Sequence, residues 1–271
     1  MSEWDATSYE GKETILRVVR EEANRLFALA EPTEAWKAPT ACEGWTTADV
    51  VGHIVDTTEG YFRAFDTARS GAEVAGPYGL PGMGARANEQ AAAFRNVSQH
   101  EMMERLRSDF ERMMSILEPL SAEEWTGLMV PHFYMGTLPA YFFAAGQLMD
   151  YAVHSWDIRQ GTGRAHGLPG DAADLLVPFM FVLWQSTVRP DADLTPAELG
   201  IRVTGRNAGD YRVTIDEKGM SYRQGSVDDL PTVIDFDAGS LVLTTFGRCN
   251  SGTVRGDLAI ADRYLNLFFR I

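Results

Sequence analysis

Near residue 190 the hydrophobic period of the chain changes from that of a helix to that of a strand, so no single helical or all-β layer can account for it. Before that point, Ile15, Val18, Val19, Leu26 and Leu29 predict a helix from Gly11 to Ala30. Thr46 and Asp49 form a capping-box start for a second helix, about 47 to 69, with Val50, Ile54, Tyr61 and Phe65 as its stripe and His53 along one edge. Ser98 with Glu101 opens a third, marked by Met102, Leu106, Phe110, Met113 and Leu117 and ended by Pro119. Thr137 caps a fourth with Pro139 in its first turn, running to Gln160 before Gly161 and Gly163. A further helix is expected from Asp171, kinked at Pro178 unless it begins later.

Beyond the polar run Arg189 to Asp193, the segments Leu199–Val203, Tyr211–Ile215, Met220–Arg223 and Val233–Phe236 read as strands, with Asp216–Gly219 a hairpin turn. Amphipathic helices near Ser240–Phe246 and Leu258–Phe269 complete the tail. The expected architecture is a helical domain, residues 1–190, followed by a small α+β domain, residues 191–271. The glycine- and proline-rich stretch from Ala75 to Gly84 reads as a long loop bordering a pocket, and Trp36 and Trp125 fall in loops.

The length suits two domains, and an apolar fraction of 45% suits packed cores. A formal net charge of −14 repels polyanions, which argues against nucleic acid or anionic membrane as partners. The acidic start MSEWDATSYEGKE lacks the basic and apolar regions of a signal peptide, so a cytoplasmic location is expected. Cys42 and Cys249 have no CxxC or CxxH spacing and read as small buried residues.

The chemistry concentrates on the fourth helix. Asp150 and His154 are four residues apart and project from one face, where a carboxylate and an imidazole can close on one divalent ion. His53 can supply a third ligand, which leaves a position open for water or substrate. At that spacing an ion pair on a helix surface is the commoner arrangement, and a lone histidine is more often hydrogen-bonded in a core. Against the surface reading, Leu148, Met149, Ala152, Val153 and Trp156 make this helix apolar, and a charged pair there needs compensation. His100, His132 and His166 fall in capping or loop positions and read as structural or solvated.

Two segments carry a resemblance. Cys42-Glu-Gly-Trp-Thr46 through Asp49-Val-Val-Gly-His53, then Asp150-Tyr-Ala-Val-His154-Ser-Trp-Asp157, resemble the mycothiol-dependent maleylpyruvate isomerase family of the DinB/YfiT-like metal-binding superfamily. Leu241 to Arg248 and Gly256 to Phe268 are similar to its sterol-carrier-like C-terminal domain. The resemblance implies a DinB-like four-helix bundle, zinc held by His53, Asp150 and His154, and mycothiol as a thiol cosubstrate held as thiolate. It implies that Arg248 reaches the metal cleft and pairs with a substrate carboxylate or enolate; as a residue alone, Arg248 can equally be a surface arginine ending a helix. The isomerase has Glu where this chain has Asp150, which preserves a ligand and leaves the substrate open. Asp157 reads as a structural residue or one that orients a ligand, or as a partner of Arg159 or Arg164.

The expected function is isomerisation or S-transfer on a small carboxylate-bearing substrate. Two alternatives stay open: a hydrolase of a small amide or ester, whose base could come from any loop, Glu73 and Glu89 included, and a non-catalytic protein with a structural metal and an apolar ligand in its tail.

Overall fold

The computed structural model describes residues 2–74, 76–163, 166–250 and 252–271. The expected partnership with Arg164 lies outside those residues. The chain divides into two compact units, Met1–Leu168 and Pro169–Ile271.

The first unit contains α1 (Lys12–Ala30), α2 (Thr33–Trp36), α3 (Thr47–Ser70), α4 (Met83–Ala93), α5 (Gln99–Leu117), α6 (Ala122–Gly127), the strands β1 (Met129–His132) and β2 (Gly136–Pro139), and α7 (Tyr141–Gly161). The stripe Ile15, Val18, Val19 and Leu26 of α1 is buried, and α1 packs along α7 while α3 packs on α5 and α7. Phe27, Phe110 and Tyr151 meet edge to face at the centre of α1, α5 and α7, with ring centres 5.7 to 6.0 Å apart. Each such buried ring contributes about 1.5–3 kcal/mol of transfer free energy. Helix α7 is buried on nearly every side, which explains its lack of a polar face.

Three local expectations are corrected here. Thr137 and Pro139 do not open α7; they lie in β2, paired antiparallel with β1 through Val130↔Leu138 and Pro131↔Thr137. Gly136, at φ 81°, makes the tight turn that closes this hairpin, and α7 starts only at Tyr141. Trp36 and Trp125 sit in the short helices α2 and α6, and Trp125 is fully buried with Nε1 donating to Ala6 O. Helix α4 was hidden because Ala91 is its only buried residue among those described, so it has no apolar stripe to read.

The second unit begins with α8 (Gly170–Ser186), followed by β3 (Ala197–Thr204), β4 (Gly209–Asp216), β5 (Gly219–Gln224), β6 (Val233–Asp237), α9 (Ala238–Thr245), β7 (Thr253–Arg255) and α10 (Leu258–Leu265). The strands form one sheet in the order β5-β4-β3-β6-β7, antiparallel except for the parallel pair β3–β6. The predicted turn joins β4 to β5, with Asp216 opposite Gly219.

The compact units part before α8, whereas the change of period had set the boundary after it. The reason is burial: α8 packs on α9 and β5, Phe181 stacks on Tyr211 with ring centres 4.1 Å apart, and Trp184 meets Tyr264 edge to face. Helix α8 runs unbroken through Pro178. Helix α10 stops at Leu265 rather than Phe269, because the chain there turns to pair Phe268 with Val188. Strand β7, only three residues long, was not anticipated.

Candidate metal centre

The start of α3 is fixed by its cap. Thr46 N and Thr46 Oγ1 both lie within 2.9 Å of Asp49 Oδ2, and Arg95 Nε donates to Asp49 Oδ1 at 2.7 Å. Burial raises the Asp49 pKa, but the hydrogen bonds from Arg95 and Thr46 outweigh it and hold the carboxyl below its ordinary value. The cap thus sets the rotation of α3, which aims His53 at α7.

On α7, Asp150 and His154 stand one turn apart and meet His53. The three residues each offer a ligand atom, all within 4.8 Å of one another. His53 Nε2 is 3.8 Å from Asp150 Oδ1, and the His53 and His154 ring centres are 5.1 Å apart. Donor atoms on a tetrahedral zinc, with bonds near 2.0–2.1 Å, stand about 3.3 Å apart, so this spacing closes on an ion with small side-chain shifts. The side chains of His53 and Asp150 keep 20% and 16% of their exposure, so the cluster opens to solvent.

Asp150 Oδ2 supplies the test of fit. It is buried and has no hydrogen-bond partner among the described residues. A carboxylate oxygen left so is costly, and a divalent cation is the group that would satisfy it.

His154 is buried, and its ring is held from behind: Nδ1 lies 2.9 Å from Oδ2 of Asp157, which is fully buried. With Nδ1 engaged there, Nε2 is the nitrogen left for a metal. Burial lowers the His154 pKa more than the Asp157 contact raises it, which favours the neutral, ligating form.

Cys42, read from sequence as a small buried residue, is half-buried, and its Sγ donates to the same Asp157 Oδ2 at 3.1 Å. Cys42, His154 and Asp157 thereby form a second cluster of potential ligands. Its members already satisfy one another by hydrogen bonds, whereas Asp150 Oδ2 in the other cluster has no partner among the described residues, so the cluster with His53 and Asp150 is the better candidate metal site. The Cys42 loop is stapled to α7 by Ala41 N donating to Asp157 O at 3.0 Å. Gly161 allows that approach, since a Cβ there would run into the Pro39 carbonyl. Trp45 covers both imidazoles, its ring centre 5.2 Å from His53 and 6.2 Å from His154.

Sequence reasoning missed the hairpin's contribution. His132 on β1 is half-buried among Tyr61, Phe133, Tyr134, Phe142 and Phe143, and its Nδ1 accepts from Tyr134 N and Met135 N, both at 3.3 Å. Burial lowers its pKa to about 4 although the Asp150 charge opposes this. Tyr61 is buried, and desolvation, reinforced by Asp150, raises its pKa well above the ordinary value. No sequence spacing links His132 to α7; pairing of β1 with β2 carries it, whereas Tyr61 comes from α3.

The other sequence candidates lie elsewhere. Arg248 belongs to the second unit, where Nη1 donates to Phe246 O and Ile271 O at 2.9 and 2.8 Å. Glu73 and Glu89 are exposed. His100 is exposed and near Glu104, while His166 Nε2 is 3.0 Å from Trp156 O.

No protein of curated function matches the chain. Among solved structures it is similar to the mycothiol-dependent maleylpyruvate isomerase, at a TM-score of 0.60 and 14% identity over 96% of this chain and 97% of that one. A His-to-Ala mutant of that isomerase superposes at a TM-score of 0.59, with the same identity and coverage. At that identity the likeness speaks for the fold: a helical N-terminal region joined to a sheet-containing C-terminal part. No described helix is long and apolar enough to cross a membrane. The sequence profile of the mycothiol maleylpyruvate isomerase N-terminal domain matches residues 17–159, more than half of the sequence, and the chain belongs to that family.

Proposed function

We infer that the protein is a metal-dependent enzyme of the cytoplasm that uses a low-molecular-weight thiol, mycothiol, to isomerise a small carboxylate-bearing substrate or to transfer the thiol onto it. The observation that carries this reading is the buried, unsatisfied Asp150 Oδ2 beside His53 and His154 in a cluster open to solvent. Two imidazoles and one carboxylate suit zinc, and we assign zinc as the metal and α1, α3, α5 and α7 as the DinB-like four-helix bundle that holds it.

When bound, the metal supplies the positive charge that keeps a thiol deprotonated near neutral pH. The chain's own residues do the rest. His53 and Asp150 reach it from two helices, Asp157 orients His154, and the Trp45 ring lies against both imidazoles. Arg248 is proposed to pair with the substrate carboxylate. Nucleic acid and membrane have no part in this reading.

The thiol is favoured over hydrolysis because the two glutamates considered as hydrolytic bases are solvent-exposed. Cobalt-substituted protein tests the choice. Added mycothiol should produce an intense sulfur-to-metal charge-transfer band whose apparent affinity rises with pH until the free thiol ionises. Hydrolysis of small amides or esters with no such band at millimolar thiol would overturn the assignment. Arg248→Ala should leave metal content and the band intact while turnover or substrate affinity falls; an unchanged kinetic profile would remove Arg248 from the site.

A further inference from the structure

One carboxylate oxygen serves two donors behind the metal cluster. Asp157 Oδ2 lies 2.9 Å from His154 Nδ1 and accepts the Cys42 S–H at 3.1 Å, while Sγ and Nδ1 stand 3.8 Å from each other. Sulfur and ring nitrogen thus share an acceptor instead of bonding together. Asp157 is fully buried, so water does not enter the competition. A carboxylate oxygen has two lone pairs and can take both donors, but each draws electron density away from the other's bond.

The loop does not need the S–H to keep its shape. Ala41 N donates to Asp157 O and Trp45 N to Cys42 O, both at 3.0 Å. Cys42 N donates to Thr40 Oγ1 at 3.2 Å, and that hydroxyl donates in turn to Trp45 O at 3.1 Å. Trp45 is tied on its other side, with Nε1 donating to Asn88 Oδ1 at 2.6 Å. The side chain at position 42 is therefore brought to Asp157 Oδ2 by bonds that a substitution there leaves in place. What varies is the donor: a thiol is weak, a serine hydroxyl is strong, and alanine has none.

We propose that Cys42 is a positioning residue of the metal centre. By sharing Asp157 Oδ2 with His154, it sets how much electron density His154 passes to the ion, and hence how tightly the ion is held and how much charge it keeps for a thiol. The inference rests on the metal reading given above. A carboxylate that accepts from the far nitrogen of a ligating imidazole makes the near nitrogen more basic. The S–H takes up part of that carboxylate's charge, so His154 gives less to the metal than Asp157 alone would make it give. An ion that receives less from its imidazole is bound less tightly and polarises a thiol more, which favours the bound thiolate. The weak donor leaves the centre between a tightly held ion and a strongly polarising one.

Cys42→Ala and Cys42→Ser move the competition in opposite directions. In Cys42→Ala, zinc should bind about 3- to 10-fold more tightly by competition with a chromogenic chelator. The cobalt-substituted variant should need more mycothiol to develop its charge-transfer band at a fixed pH. In Cys42→Ser both affinities should change the other way. The His154 Nδ1–H proton resonance, read on metal-free protein, should move downfield in Cys42→Ala and upfield in Cys42→Ser, as its hydrogen bond strengthens or weakens. Should Cys42→Ala loosen the loop, Cys42→Val fills more space, also lacks a donor, and makes the same comparison. A side chain that only fills space would lower zinc affinity in every variant and would not trade it against the thiol. Zinc and thiol affinities that fall together, a serine variant on the same side of wild type as alanine, or an unmoved resonance would overturn the proposal while leaving the metal centre standing. The expected zinc order without any cobalt–thiol band would overturn the thiol reading and leave Cys42 in its role. Wild type that binds no zinc would overturn the metal reading and this proposal with it.

Discussion

His154 Nδ1 lies 2.9 Å from Asp157 Oδ2, so the histidine of the candidate metal cluster is anchored by a fully buried carboxylate on its own helix. Cys42 donates to the same oxygen and Ala41 N to the Asp157 carbonyl, so one residue fixes both the imidazole and the loop that carries Trp45. Such a carboxylate sets the ring orientation and raises the basicity of the ligating nitrogen. Asp157→Asn keeps the shape and removes the charge. It should weaken zinc binding by about 10- to 100-fold, measured by competition with a chromogenic chelator, while the far-ultraviolet spectrum stays native. Unchanged affinity would mean that Asp157 only pins the loop.

Metal removal should destabilise the first unit. The protein should hold about one divalent ion per chain, and His154→Ala should abolish it. Binding confined to the folded state adds RT ln(1 + [M]/Kd), so at a free metal level 100-fold above Kd, chelation should cost about 2.7 kcal/mol and lower the melting temperature. Wild-type protein that binds neither zinc, nickel, manganese nor iron would remove the metal centre from every reading above.

The pairing of Asp150 with His154 was legible because an i,i+4 spacing on an apolar helix is a local signal. His53 was legible from its place on a capped amphipathic helix, although only tertiary packing brings it to 3.8 Å from Asp150. Cys42 sits in an irregular loop, and His132 sits in a hairpin whose Thr137 and Pro139 mimic a helix start, so no period marked either. The unit boundary was misplaced for a related reason: the period reveals that α8 is a helix but not that its apolar face is buried by β5 and α9.

Close approach at Gly146 gives a prediction about packing. Gly146→Ala puts a methyl 2.6 Å from the Tyr61 hydroxyl and 3.3 Å from its ring. Overpacking of this kind costs about 1–3 kcal/mol, even though alanine favours the helix by about 1 kcal/mol over glycine. Denaturant unfolding should show a net loss in the single variant, and adding Tyr61→Phe should recover part of it by removing the nearer clash. Additive losses in the double variant would show that the two positions do not meet.

His132 links stability of the first unit to pH. Burial depresses its folded-state pKa from the ordinary 6.5 to about 4, whereas in the unfolded chain it titrates near the ordinary value. Between those values the unfolded state binds a proton that the folded state refuses. Stability from this group is therefore fully present above about pH 6.5 and is lost as pH falls toward about 4. His154, also lowered by burial, acts in the same direction in metal-free protein, so the two must be separated. In the metal-free His154→Ala background, adding His132→Gln should flatten the fall in unfolding free energy between pH 6.5 and 4, since glutamine has no proton to gain. The His132 resonances should stay in the neutral form down to pH 5. Titration of His132 near 6.5 in the folded protein, or an unchanged pH slope in the double variant, would show that the hairpin leaves this ring solvated.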